Sequence, residues 1–372
     1  MTGVPPGCRG WRRRERPPPG PPRDRSPRPR ARELSLKSMV SLGGGGPPTT
    51  AYHRRMRDLL TRGRLAEHPL WARALSATEL HARAILPVVV SGAVEDRERV
   101  AEAPWLERLS ITELVREARA AASAGIAGLL LFGASDRKDE IALLASERDH
   151  VVPRAIHAVK EAVPELAVAT DVCVCAYTAH GQCVLFGAAG GADVAGTLER
   201  LAAIARVHAE SGADLLIPSG MLEGAVRALR VAVGDAGRPD LPVAGIAKLE
   251  SALYALHRHA VGSVPISERA VPLLPADDPE AARARALRDV ALGADAIVVK
   301  PGAPALDIVA KLSGSADRPV LSYFTSDEHA FLVGGSEGVT DPGVAERELL
   351  VAARRAGADL LITHGAFALA AS

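Results

Sequence analysis

Short aliphatic runs recur along the chain at 85–90, 128–132, 166–171, 214–218, 242–247, 296–300, 319–324 and 359–363. They are almost continuously apolar, the pattern of strands buried on both faces, as in a parallel sheet. Amphipathic helical stretches fill the intervals. Helix starts are signalled by Ser76-x-x-Glu79 and Ser110-x-x-Glu113, both of which fit a capping box. Helix stops are signalled by glycine. Gly212-Ala-Asp214, Gly293-Ala-Asp295 and Gly357-Ala-Asp359 each stand just before a strand, and Gly125 holds the same place before the second strand. Glycine past a helix end adopts the left-handed conformation without a Cβ penalty. Eight helix–glycine–strand units predict a (β/α)8 TIM barrel rather than an open doubly wound sheet. No G-x-G-x-x-G follows the first strand, which weighs against a dinucleotide-binding fold.

Composition changes the picture at one end only. Residues 1–48 are dense in Arg, Pro and Gly with few aliphatics, too few to offset the entropy of ordering. This predicts a disordered basic tail; Met39 and Met56 offer alternative starts. The tail lacks the apolar stretch of a secretory signal, and its prolines oppose the amphipathic helix of an organelle transit peptide. Over all 372 residues, 45 Lys and Arg face 44 Asp and Glu. That balance gives no reason to expect nucleic acid or an acidic membrane as partner. No run approaches the length of a membrane-spanning helix. A cytoplasmic location is expected.

Three of the four cysteines lie together in Asp171-Val-Cys173-Val-Cys175-Ala-Tyr-Thr-Ala-His-Gly-Gln-Cys183; Cys8 lies in the tail. Three thiolates can hold one soft metal ion, zinc above all, while leaving a position open, the usual state of a catalytic rather than a structural site. The same spacing also suits reduced thiols in a loop, with or without a disulfide. In a (β/α)8 barrel the chemistry lies at the C-terminal ends of the strands. The cysteines begin where the third strand ends, Lys248 ends the fifth and Lys300 ends the sixth. Two amines facing one barrel mouth, buried and mutually repelling, favour the neutral form that attacks carbonyls to give Schiff bases.

From about Tyr52 to the C-terminus these motifs resemble the porphobilinogen synthase (5-aminolevulinate dehydratase) family, zinc-dependent branch. The cysteine segment is similar to D-V-C-L-C-x-Y-T-x-H-G-H-C. Ile246-Ala-Lys248 with Tyr254 and Arg258 resembles one Schiff-base segment, and Val299-Lys300-Pro-Gly-Ala-Pro-Ala-Leu-Asp307 the other. Asp136-Arg-Lys-Asp-Glu140 and Tyr323-Phe-Thr-Ser326 match two further segments. The resemblance implies condensation of two 5-aminolevulinate molecules to porphobilinogen in heme biosynthesis, a hydro-lyase reaction. It implies Lys300 and Lys248 as the Schiff-base lysines and zinc on Cys173, Cys175 and Cys183, with Asp171 assisting proton transfer. Arg258 and Arg269 are implied for one substrate carboxylate, and Tyr323 and Ser326 for the other. Tyr254 and Ser219 complete the implied substrate contacts. A homo-octamer is implied as well, joined through an N-terminal arm at about 49–75, with the catalytic domain at 76–372.

The departures are specific. The family's P-S-D-M-M-D-G-R segment is Pro218-Ser219-Gly220-Met-Leu-Glu223-Gly-Ala225 here, and the tyrosine of its I-T-Y is His364. The F-G-D-R-x-x-Y-Q lid is reduced to Ser267-Glu-Arg269-Ala-Val-Pro, and His257, His259 and Arg269 are additions nearby. Two other readings therefore stand beside the first: a paralogue acting on a related amino-ketone, and a non-catalytic zinc-binding barrel.

Overall fold

The computed structural model describes residues 63–336 and 341–371. The expected tail, and residues 49–62 of the expected arm, lie outside the described residues. Eight parallel strands form the barrel: β1 (Ala84–Ser91), β2 (Gly128–Ala134), β3 (Ala167–Val172), β4 (Leu215–Pro218), β5 (Ala244–Lys248), β6 (Ala296–Lys300), β7 (Val320–Tyr323) and β8 (Leu360–Ile362). They run β4-β3-β2-β1-β8-β7-β6-β5 around the ring, and a parallel bridge from Leu216 to Val243 joins the two ends. Each of the eight expected runs supplies one strand. Helices between them, from Ile111–Ser123 to Pro342–Ala356, cover the outside.

The floor of the barrel is built by a repeated device. The aspartate of each Gly-Ala-Asp triplet turns its carboxylate back onto the start of a barrel strand or its lead-in. Asp214 accepts from the backbone N–H of Val168 at 2.8 Å, Asp295 from Val243 at 3.0 Å and Asp359 from Val320 at 2.9 Å. In return, each aspartate's own N–H donates to the carbonyl of the same residue. The preceding glycines take φ values of 99°, 101° and 109°, as a left-handed helix stop requires. Residues 64–76 then seal this floor. The indole of Trp71, fully buried, donates to the carbonyl of Asp214 at 2.8 Å, and the Arg64 guanidinium pairs with Asp295 at 3.2 Å.

Ser110 caps its helix as expected, accepting from the Glu113 N–H at 3.2 Å. Ser76 does not. It is the last residue of the helix Pro69–Ser76, and its hydroxyl donates back to the Arg73 carbonyl. The Ser-x-x-Glu spelling is met there, but the helical turns lie before the serine. An antiparallel hairpin, Arg97–Val100 with Ala103–Leu109, follows β1 and was not legible from the aliphatic runs, since its first strand is mostly charged and its second mixes charged with apolar residues.

Candidate active site

Strand register places the two lysines side by side. Lys248 and Lys300 are partners at the ends of β5 and β6, 8% and 6% exposed, and both face one cavity in the barrel mouth. The Lys300 amine lies 3.8 Å from the centre of the Tyr323 ring. The Tyr254 ring lies near both amines, 4.9 Å from that of Lys248 and 5.3 Å from that of Lys300, held by its hydroxyl donating to the Leu249 carbonyl at 2.8 Å. Burial, then the neighbouring Lys248 charge, brings the Lys300 pKa down to about 7, although Asp171, Glu328 and Asp327 pull the other way. Near neutrality, much of Lys300 is therefore a free amine. The loop leaving Lys300 is fixed by Glu328, whose carboxylate accepts from the backbone N–H groups of Gly302, Ala303 and Thr325.

Across the mouth, the chain leaving β3 turns so that the sulfurs of Cys173, Cys175 and Cys183 lie within 4.8 Å of one another. The Cys173 and Cys175 sulfurs are 3.3 Å apart. Hydrogen bonds from the other two thiols, with Lys248 and Arg258 nearby, draw the Cys183 thiol well below its ordinary pKa. The trio is thus a sulfur-only donor set with a ready thiolate, suited to one soft metal ion with a position left open. Asp171, near the end of β3, lines the same cavity as Cys175, Cys183 and the two lysines. Burial raises its pKa to about 6, the Ser219 hydroxyl opposes that, the Cys183 charge adds to it, and the two lysines oppose it.

The cavity also collects Ser219, Arg258, Tyr254 and Tyr323. Arg269 is placed differently. It is exposed and lines an adjoining recess with Arg258, Cys183 and Lys248. Gln182 holds that segment, donating to the carbonyls of Ser267 and Glu268 and accepting from the Ala270 N–H. Ser326 is not in the cavity wall. It is 1% exposed and its hydroxyl lies 3.2 Å from an Asp327 carboxylate oxygen. Sequence reasoning missed Phe132, Tyr177 and Ser263 as lining residues; His257, read there only as a nearby addition that could compensate for lost substrate contacts, lines the cavity too. Phe132 was within reach of the rule that strand ends face the site, since it lies near the end of β2.

Comparison with known proteins settles the family. A family model described as "Delta-aminolevulinic acid dehydratase" matches residues 60–372. The chain belongs to this family. The delta-aminolevulinic acid dehydratase of Synechococcus elongatus is 38% identical over 279 residues, 72% of this chain and 84% of the relative. That of Escherichia coli is 35% identical over 320 residues, 85% and 98% of the two chains. Among solved structures, the delta-aminolevulinic acid dehydratase (porphobilinogen synthase) of Toxoplasma gondii ME49, in complex with the reaction product porphobilinogen, superposes with a TM-score of 0.75. It is 30% identical and the match covers 83% of this chain and 90% of that one. Family membership carries the class of reaction, a lyase condensation of two 5-aminolevulinate molecules to porphobilinogen in tetrapyrrole synthesis.

The departures from the family pattern have physical settings. A Cβ at Gly220 would stand 3.2 Å from the Cys183 Cβ, so any side chain there presses on the cysteine trio. Ala225 is buried at the start of its helix. Arg285, from the helix Pro279–Ala291, donates to the carbonyls of Met221 and Leu222 in the segment after β4 and pairs with Asp289 at 3.1 Å. Asp289 in turn accepts from the Ile246 N–H of β5, an approach open only because Gly245 has no Cβ. His364, just past β8, is kept neutral chiefly by burial and then by the His329 charge, its pKa drawn down to about 3.

Proposed function

We propose that the chain runs its family's condensation through two imines, with Lys300 as the primary amine and Lys248 as its partner. The observation that carries this reading is the pair of buried amines, in register on adjacent strands, in one cavity with the cysteine trio. The free amine of Lys300 adds to the ketone of one substrate and water leaves. Lys248 binds the second molecule the same way. Arg258, with Arg269 at the adjoining recess, offers guanidinium forks to a carboxylate. Tyr323 lines the Lys300 side. Holding two identical molecules head to tail is chiefly an entropic task, which fixed contacts lower.

Cys173, Cys175 and Cys183 would hold zinc. When bound, it supplies a Lewis acid and lowers the pKa of a bound water. Asp171, with its raised pKa and its place in one cavity with the trio and the amines, is suited to carry a proton there. By resemblance the assembly is a homo-octamer through the arm at 49–75. The changes at Gly220, Ala225 and His364 favour one second reading, a related amino-ketone as substrate.

Borohydride reduction with 5-aminolevulinate tests the proposal. It should add a substrate-derived mass to the Lys300 peptide, and Lys300→Ala should abolish the label there. Labelling elsewhere or nowhere contradicts it; a label with a different amino-ketone but not with 5-aminolevulinate supports the second reading.

A further inference from the structure

Gln182 lies between Gly181 and Cys183 on the loop of the cysteine trio, yet its side chain is spent on another segment. Its amide nitrogen donates to the Glu268 carbonyl at 2.8 Å, and to the Ser267 carbonyl and hydroxyl at 3.2 Å each. Its amide oxygen accepts from the Ala270 N–H at 3.3 Å. One side-chain amide thus meets the backbone on both sides of Arg269. Because peptides are planar, pinning the units that flank a residue fixes its two soft dihedrals. The family's segment has His at this position, and an imidazole cannot present two N–H groups and an acceptor at one end as this amide does.

The clamp has a firm base. Gln182 is buried, and its own N–H donates to Nδ1 of His180 at 3.0 Å. Gly181 takes a φ of 65°, and a Cβ there would stand 2.7 Å from the Val264 carbonyl oxygen, so loop and segment pack backbone to backbone. The segment itself is loosely held. Residues 266–270 are all exposed. Besides the bonds to Gln182, one hydrogen bond ties them to the rest of the chain among the described residues, from the Ile266 N–H to the His180 carbonyl at 3.4 Å. Arg269 and Arg258 both line the recess beside Lys248, and no carboxylate lines it. Gly220, in its wall, stands where the family pattern has Asp. Two guanidiniums at a recess without a carboxylate of its own suit an anion from outside.

We infer that Gln182 is a positioning residue for the reaction: it sets Arg269 at the recess, where the two arginines hold the carboxylate of the substrate molecule bound at Lys248. This rests on the reading given above for Arg258 and Arg269. An arginine on an exposed, untethered stretch would lose backbone as well as side-chain freedom each time substrate binds, and that loss is subtracted from affinity. The clamp removes the backbone part beforehand, so the second molecule binds more tightly. Lys300 does not line this recess, and its chemistry is independent of the clamp.

The test compares wild type, Gln182→Glu, Gln182→Asn, Arg269→Ala and the double variant Gln182→Glu/Arg269→Ala with 5-aminolevulinate. Glutamate has the same length but only accepts; asparagine has both functions one methylene short, and keeps the test open if the first variant does not fold. KM, kcat, borohydride-trapped imine on the Lys300 peptide and metal content are measured. KM should rise about tenfold in Arg269→Ala, the worth of one charge-assisted contact, and about fivefold in the Gln182 variants. In the Gln182 variants kcat and Lys300 trapping should stay within about twofold of wild type, as expected when only binding at the other site is weakened, with metal content unchanged. The double variant should match Arg269→Ala alone, because a clamp without its arginine positions nothing. Effects on KM that multiply in the double variant overturn the inference. So does a wild-type KM in both Gln182 variants beside an impaired Arg269→Ala, and so does a KM rise seen only together with lost metal or lost trapping, which marks a merely structural residue. A wild-type KM in Arg269→Ala overturns the reading of that arginine itself, and this inference with it.

Discussion

Two effects push the Lys300 amine toward its neutral form, loss of water and the like charge of Lys248, and three carboxylates resist. Because the pKa lies at about 7, the reactive fraction grows as pH rises through that value and levels off above it. The rate of imine trapping on Lys300 should therefore climb across neutrality and reach a plateau. In Lys248→Met the midpoint should move upward, since the repelling charge is gone; an unchanged midpoint would show that burial alone sets it. At the cysteines, Cys173→Ala/Cys175→Ala/Cys183→Ala should lose zinc from purified protein, where wild type carries about one ion per subunit, as a three-thiolate site implies. Full retention in the triple variant would falsify the assignment. Residue types were the most legible level. Lys248, Lys300 and the trio could be named from strand ends and spacing. The idle geometry of Ser326 and the role of Gln182 could not, because each depends on which way a side chain turns after the chain has folded.

Strands were legible because each barrel strand is buried on both faces and reads as an unbroken aliphatic run. The hairpin after β1 was not, since its exposed strand Arg97–Val100 has little apolar signal. The Gly-Ala-Asp triplets were read for their glycines alone. Their aspartates do as much, each stitching the lead-in of one strand to the start of the strand before it. Asp214 shows what that stitching is worth. Although burial opposes its charge, hydrogen bonds from His68 and Lys160, the Lys160 charge and the Val168 N–H hold its pKa below the ordinary carboxylate value. A depressed folded-state pKa gives stability that is fully present above the unfolded value near 3.8 and is lost as pH falls through the lower folded value. Asp214→Ala leaves the Val168 N–H and the half-buried Lys160 amine without this acceptor. Lys160 keeps the Pro164 and Leu166 carbonyls, so the buried Val168 N–H is the group left unmet, and a loss of about 1–3 kcal/mol is expected in denaturant unfolding near neutral pH. The loss should shrink as pH falls through the lowered folded value, where the wild-type carboxylate is itself protonated. A mutant indistinguishable from wild type at neutral pH would show that neighbouring groups take over the Val168 N–H.

For the whole molecule, the boundaries of the working unit can be drawn from three directions. Composition sets residues 1–48 apart as Arg-, Pro- and Gly-rich with few aliphatics. The family model begins at residue 60. Packing begins by Gly63, after which Leu65 and Trp71 are fully buried and Arg64 pairs with Asp295 on the barrel floor. These give two truncations with opposite expectations. Deletion of residues 1–48 removes a segment too polar to bury a core, so thermal stability, imine trapping and assembly should match the full chain. Deletion of residues 1–62 leaves the floor-sealing segment 64–76 in place, so the barrel should still fold and Lys300 should still form its imine. It also removes most of the expected arm, so if the proposed octamer forms through that arm, the particle measured by sedimentation should be smaller than that of the full chain. Further deletion to residue 76 should unfold the barrel at moderate temperature. It exposes the surface under Trp71, whose truncation alone typically costs about 3–5 kcal/mol, and strips Asp214 and Asp295 of their His68 and Arg64 partners. A full-size assembly from the chain lacking residues 1–62 would place the subunit contacts on the barrel itself. A large fall in melting temperature on removing only residues 1–48 would mean that the basic segment packs after all, against the reading of its composition.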